Sequence, residues 1–406
     1  MIHLSLKHAR KLVLASQGIH REAEFAAGYD GLVNAIERLS YVQIDTISVV
    51  ERAHHHVLWN RLKKYSPKLL NQAVAERDIF EYWSHAAAYL PMRDLRFSLP
   101  RKHGYLNGDQ HWYHKEPKQM QYVKDRIAAE GELRVKDFDQ QRSQSDHAWG
   151  GHKPAKMALE QLFMQGELMI SRRDGFQKVF DLSERVIPDG VDTSMPTQTE
   201  YIDHLIMRYL SSNGLGSSAE IAYLRKGFKP LVQKRCKELI EERRVVELLV
   251  AGKRYFALAD FAEILNKNIS RRRVKILSPF DNLLIQRQRM RDLFEFDYQI
   301  ECYVMANKRK YGYFVLPILA GQQFIGRMDA KIDRKTKRMM VSKLFLERGS
   351  LAEYQKEEQL QQLVLALKRF LKFNQGVTLV IEQVVIGYKV FSASDVNLMF
   401  DLNGHS

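Results

Sequence analysis

Twice in the central third of the chain the same succession of segments recurs, and a repeat of this kind limits the fold more than any single motif does. A helical pattern runs from Tyr122 through Ile127 to a turn at Gly131 and a short helix-like piece. A longer helix follows from Pro154 to Gln165, with Met157, Leu159, Leu162 and Phe163 as its apolar positions. Two strand-like pieces, Gly166–Ile170 and Gln177–Leu182, close the pattern around Asp174-Gly175, a strong tight-turn signal. The order returns as helix Tyr201–Leu210, a turn at 214–218, helices Ala219–Leu224 and Leu231–Arg243, and a hairpin of Val245–Leu249 with Tyr255–Leu258. Three helices and a two-stranded wing make the winged-helix plan, a relative of the helix-turn-helix. The first 65 residues read as a third, degenerate copy, with helices at Leu6–Gln17 and Leu32–Leu39, the segment Tyr41–Val50, and a helix around His56–Lys64.

After 277–280 the pattern changes to short β-rich pieces at Leu283–Gln288, Phe296–Val304, Tyr311–Leu319, Gln323–Ile332 and Met339–Leu346. Closely spaced antiparallel strands suggest a small barrel or curled sheet. A helix from Leu351 to Phe373 and a strand from Thr378 to Ile386 complete it. The expected class is α+β, with three tandem winged helices before a C-terminal β-barrel-like domain. The expected boundaries are 1–117, 118–195, 196–270 and 271–406.

Charge bears on partners. The 406 residues contain 63 Lys and Arg against 48 Asp and Glu, a net charge of +15. Between Arg271 and Met340, 16 cations face 7 acids, so one stretch of 70 residues holds over half of that excess. Its clusters are 271–273, then Arg287, Arg289 and Arg291 at alternate positions, 308–310, and 334–338. On a strand, alternate residues share a face, and the three Arg would form a row suited to a phosphate backbone. Cations on strand edges also protect against aggregation, so both readings stand. Cys236 and Cys302 are the only cysteines, too few for a disulfide framework or a thiolate zinc site, as expected in a reducing cytoplasm. Lys7, Arg10 and Lys11 interrupt the N-terminal apolar run, so no secretion signal is expected, and no run approaches the roughly 18 apolar residues of a membrane span.

Common catalytic signatures are missing: no phosphate loop, dinucleotide fingerprint, nucleophile elbow or zinc-protease helix occurs. The exception is Tyr41–Val50, where Gln43 and Asp45 alternate with Val42, Ile44 and Ile47. In an extended segment Gln43 and Asp45 share a face, whereas on a helix they diverge by about 200°. An amide beside a carboxylate can hold a water and stabilise an adjacent cation. The competing reading is a strand end whose Asp caps the next helix. Spacing leaves both open.

Residues 42–47 followed by 52–62 resemble the signature of the winged-helix DNA glycosylases that unhook interstrand crosslinks, the AlkZ, AlkX and YcaQ family. Further matching stretches are 82–87, 153–156, 166–169, 277–283, 296–298, 312–317 and 326–329. The Gln-x-Asp form is closest to the YcaQ-like branch. The resemblance implies a monofunctional glycosylase acting on N7-alkylated guanine and on crosslinks through that atom, with Gln43 and Asp45 catalytic. Asp45 would stabilise oxocarbenium character and act as general base; Gln43 would orient the water or the sugar. The implied partner is double-stranded DNA carrying alkylated or crosslinked guanine, met by a monomer in the bacterial cytoplasm at the nucleoid, with no membrane, cofactor or metal.

Positions within the matching stretches, together with the loop at Trp149 and the basic cluster, give further DNA-contact candidates: Arg52, His54, His55, Arg61, His85, Trp149, Lys153, Lys156, Arg287, Arg289 and Arg327. For the histidines packing or capping competes with DNA contact, and for Trp149 a core position competes with base stacking. A non-catalytic winged-helix transcription regulator is the alternative function; it requires Gln43 and Asp45 to be dispensable.

Overall fold

Both repeated successions form, in a computed structural model that describes residues 1–109, 111–141, 154–270, 273–347, 357–387 and 389–392. The first begins with helix Pro117–Glu130, opened by a proline whose missing N–H costs a first helical turn nothing, and ended at Gly131. Strand Leu133–Arg134, helix Pro154–Gln165 and the hairpin strands Leu168–Asp174 and Gln177–Leu182 follow. Gly175 supplies the positive φ of the turn, 60°. Leu133 lies opposite Phe180, so the short strand joins the hairpin as a third member. The second succession repeats this with Gln198–Asn213, Leu215–Gly216, Ser218–Ile221, Phe228–Glu241, Val245–Val250 and Lys253–Leu258. Ser217 and Glu220 form a capping box that fixes the start of its short helix.

The chain divides into two compact units. One contains 28–41 and 66–205; the other contains 1–27, 42–65 and 206–406. This division runs across the expected boundaries, because 1–117 is shared between the units and 206–406 belongs to one of them. The first unit's core is built from Phe80, Val123, Ile127, Leu159, Leu162, Leu168 and Phe180, the buried faces of the first succession and of the hairpin Ile79–Trp83 with Ala87–Pro91.

In the other unit, N-terminal strand Ile2–His3 pairs parallel with Val245–Val250, and helix Leu6–Ser16 packs Ala9, Leu12 and Val13 against Leu215, Leu248 and Tyr255. The N-terminal helix thus completes the second succession. Contact is close at Gly214, whose φ is 75° and where a Cβ would stand 2.9 Å from the Leu12 carbonyl oxygen.

Among the described residues the C-terminal sheet has seven strands, in the order Val274–Ile276, Val315–Ala320, Gln323–Asp333, Arg338–Leu346, Gln383–Ile386 and Lys389–Ser392, with Thr378–Ile381 also paired to Arg338–Leu346. The two strands after helix Glu357–Phe373 run parallel to Arg338–Leu346, as a strand–helix–strand crossover requires. No closed barrel forms among the described residues. Leu363, Leu367 and Phe370 share a core with Met328, Met339 and Val341, so the crossover helix shields the sheet without closure.

Two expected strands are absent. Leu283–Gln288 is largely a turn, Phe296–Val304 carries no strand, and Arg287–Phe294 is a helix that buries Met290, Leu293 and Phe294 at helical spacing. Those apolar positions override the alternation of the arginines. On the helix Arg287, Arg289 and Arg291 lie about 200° apart in succession, so they make no row.

Arg61 and Asp281, both fully buried, join helix Ala53–Trp59 and its C-terminal extension to the segment leading into Arg287–Phe294. Their two contacts are 2.7 and 2.8 Å, and Arg61 also donates to the carbonyls of Gln17 and Val57. Breaking such a pair from one side strands the other charge, so Asp281→Asn is expected to cost about 3–5 kcal/mol. Chemical denaturation measures this; a loss below about 1 kcal/mol, typical of surface pairs, would show that the pair does not hold these segments together.

Candidate active site

The segment that carries Gln43 and Asp45 is extended and irregular. Val42–Gln43 is a two-residue strand, and no helix begins before Ala53. Val42 is fully buried, Gln43 nearly so and Asp45 half-buried. The capping alternative fails on position: Asp45 Oδ1 accepts the Ile47 N–H at 2.8 Å, an Asx turn, while the following helix has Arg52 at its N-cap. Burial pushes the Asp45 carboxyl above its ordinary value, and the Ile47 N–H opposes this only in part.

Long-range bonds hold the next residues. The Ile332 N–H donates to Val49 O at 2.8 Å, and Arg334 donates to Ser48 O at 2.7 Å and Val50 O at 3.0 Å. The Glu51 N–H donates to Asn374 Oδ1 at 2.7 Å, at the end of the crossover helix. Ile47 and Val49 pack on the same core as Ile300. The backbone from Ser48 to Glu51, just after Asp45, is therefore bonded to the C-terminal sheet and its crossover helix, far from it in sequence. Together with burial, its charge raises the Cys302 thiol and the Tyr303 phenol. Sequence reasoning missed Arg334, Cys302 and Tyr303; the alternation of Tyr303 and Met305 just before the basic run 308–310 was the available signal.

Several expected DNA contacts are structural. Arg61 is enclosed in its pair with Asp281. Arg289 is 2% exposed and donates to the carbonyls of Leu215 and Asn213, satisfying the end of helix Gln198–Asn213. Arg327 is 3% exposed, lies between the rings of Phe296 and Tyr311, and donates to Asp297 O and Glu347. Half-buried Arg287 lies over Tyr298 and donates to the carbonyls of Leu284 and Pro279. All four are engaged by the fold's own bonds, Arg61, Arg289 and Arg327 buried and Arg287 half-buried.

The histidines are also mostly inside. His54 is buried against the ring of His55, and His55 shares a 2.6 Å hydrogen bond with the Tyr65 hydroxyl. His56, fully buried, bonds Ile276 O at 2.9 Å. Burial pushes both His55 and His56 down to about 4, so neither carries charge at neutral pH. Arg52 remains half-exposed on the unit that carries Asp45. On the other unit, His85 stands edge-on to Tyr41 in the turn of the Ile79–Trp83 hairpin, and Lys156 is half-exposed on Pro154–Gln165. Trp149 and Lys153 lie outside the described residues.

Comparison with known proteins identifies the family and the fold. A family model described as DNA glycosylase AlkZ-like matches residues 36–373, which include the Asp45 segment and the sheet strands that hold it. The solved structure of the Streptomyces sahachiroi DNA glycosylase AlkZ superposes with a TM-score of 0.62, at 15% identity, over 95% of this chain and 100% of that one. At that identity the superposition shows a shared fold. With the family match over most of its length, the chain belongs to the AlkZ-like DNA glycosylases, hydrolases of N-glycosyl bonds in DNA repair.

Proposed function

We propose that the chain hydrolyses the N-glycosidic bond of N7-alkylated guanine and unhooks interstrand crosslinks made through that atom. The observation that carries this reading is a half-buried carboxylate, Asp45, held by the Ile47 N–H, in a segment whose next residues, Ser48 to Val50, are bonded to residues more than 280 positions away in sequence. N7-alkylated guanine is cationic and leaves readily, so the base needs no strong acid. The remaining tasks are to stabilise positive charge growing on the sugar and to aim water at its anomeric carbon. A partly desolvated carboxylate does the first well, and its raised basicity suits it to the second. Gln43, two residues away, orients the water or the sugar.

The twofold order of helix, short strand, two helices and hairpin supports winged-helix modules over 118–195 and 196–270 that bind duplex DNA. A crosslinked base is tied to the opposite strand, so full extrusion is harder for this substrate than acceptance in place. Binding through phosphates then falls steeply with salt and shows little sequence preference.

Asp45→Asn keeps an acceptor for Ile47 and removes the charge. Base release from a duplex containing 7-methylguanine is expected to fall about 100- to 10,000-fold, with DNA affinity retained. Failure of the wild type to release base from that duplex and from an N7 crosslink overturns the reading; strand cleavage surviving the substitution would indicate a nuclease or lyase.

The same variant should be more stable at neutral pH. A carboxyl whose folded value lies above the ordinary 3.8 favours the fold fully only below that pH and loses that contribution as pH rises through the folded value. Thermal melts of both proteins are expected to show a gain for Asp45→Asn at pH 7 that shrinks toward pH 4. An unchanged or lower melting temperature at pH 7 would contradict this.

A further inference from the structure

Beside Asp45 the loop from Glu301 to Gly312 exposes apolar groups that a folded chain ordinarily keeps inside. Tyr303 is 78% exposed and Met305 60%, two positions apart, and Tyr313 joins them at 37%. Scattered exposed apolar residues need no explanation, but a cluster on a rigid support next to a catalytic carboxylate does. The support is Glu301. Its nearly buried carboxylate receives the N–H groups of Lys310, Tyr311 and Gly312 at 3.0, 2.8 and 3.0 Å, closing the loop into a ring. Burial raises the Glu301 carboxyl, but these three donors with Arg327 hold it below its ordinary value, so it stays ionised at neutral pH.

Further bonds stiffen the ring. The Arg309 Nε–H donates to Val304 O at 2.9 Å, the Lys308 N–H donates to Met305 O at 2.9 Å, and the Arg309 guanidinium lies over the Tyr313 ring. Behind it, Arg327 fills the space between Phe296 and Tyr311. The ring is a compact loop whose ends are tied and whose tip is apolar. It lies near the site: Ile300, just before the loop, and Ile47 pack on one core, and Asp45 acts electrostatically on Cys302 and Tyr303.

We propose that Tyr303 and Met305 form an apolar wedge that stacks against a base step next to the nucleotide held at Asp45, with the exposed Lys308 and Lys310 placed for the flanking phosphates. The proposal rests on the glycosylase reading. Duplex DNA is the occupant that the surroundings favour: three cations follow the apolar tip within five residues, and aromatic faces stack on any base without needing its sequence. Partial unstacking by a wedge opens access to an anomeric carbon without extruding the base, as a crosslinked substrate requires. A rigid loop gains affinity here because it loses little freedom on binding.

The test uses full-length protein and a duplex with 2-aminopurine beside a single 7-methylguanine. Bound to the inactive Asp45→Asn protein, the probe is expected to brighten as its neighbour unstacks; adding Tyr303→Ala or Met305→Ala should abolish the change and weaken affinity about 5- to 150-fold. Tyr303→Phe keeps the ring and should keep the signal. In the active background, Tyr303→Ala should slow single-turnover base release while Tyr303→Phe leaves it near wild type. Brightening that persists in both alanine variants overturns the wedge, as does loss of turnover in Tyr303→Phe equal to that in Tyr303→Ala, which would assign the role to the hydroxyl. If the wild type releases no base yet brightening depends on Tyr303, the glycosylase reading fails and the wedge stands.

Discussion

A buried guanidinium–carboxylate pair organises the unit that carries the candidate site. Arg61 and Asp281 lie 220 residues apart in sequence and exclude water completely, so neither charge is tolerable without the other. The remaining Arg61 donors take up carbonyls at the end of helix Leu6–Ser16 and in helix Ala53–Trp59, which leaves one placement for three otherwise separate pieces of chain. His56 and Asn60 add bonds to the same Ile276 carbonyl, and buried Lys275 donates to the carbonyls of Glu22 and Asn60. Directional polar bonds fix geometry here where apolar packing alone would permit sliding.

That fixed geometry serves Asp45. Raising a carboxyl by burial costs stability, and a chain tolerates the cost only where its surroundings prevent relaxation. The Asx turn to Ile47, the strand-like bond from Ile332 and the two bonds from Arg334 prevent it. The net charge of +15 thus divides into two populations. Some cations, including Arg289 and Arg327, satisfy backbone carbonyls inside the protein, while others, such as Lys308 and Lys310 in the loop beyond Met305, lie exposed. Counting charges along the sequence cannot separate the two.

What was legible follows from the range of the interactions involved. Helix Pro154–Gln165 and the turn at Gly175 are set by local periodicity and by one glycine, and both were readable. The Arg287 helix was misread because alternate arginines mimic a strand; the decisive residues, Met290, Leu293 and Phe294, matter only once a core exists to receive them. Of the expected barrel or curled sheet, no closed barrel was found among the described residues, and strand spacing does not show that helix Glu357–Phe373 packs on the sheet. Gln43 and Asp45 stood out by residue type and by family resemblance, but the bonds of the residues after Asp45 to Arg334 and Asn374 are long-range and left no local pattern.

The bond from Glu51 to Asn374 spans 323 residues and has a consequence for the protein's birth. Chains emerge from the ribosome N-terminus first, at about 5–20 residues per second. The segment bearing Asp45 is among the earliest made, yet its anchor arrives roughly twenty seconds to a minute later. Until then the carboxylate has no fixed seat. A prematurely terminated chain would lack the seat altogether, so the last third of the sequence acts as a completeness check on the first.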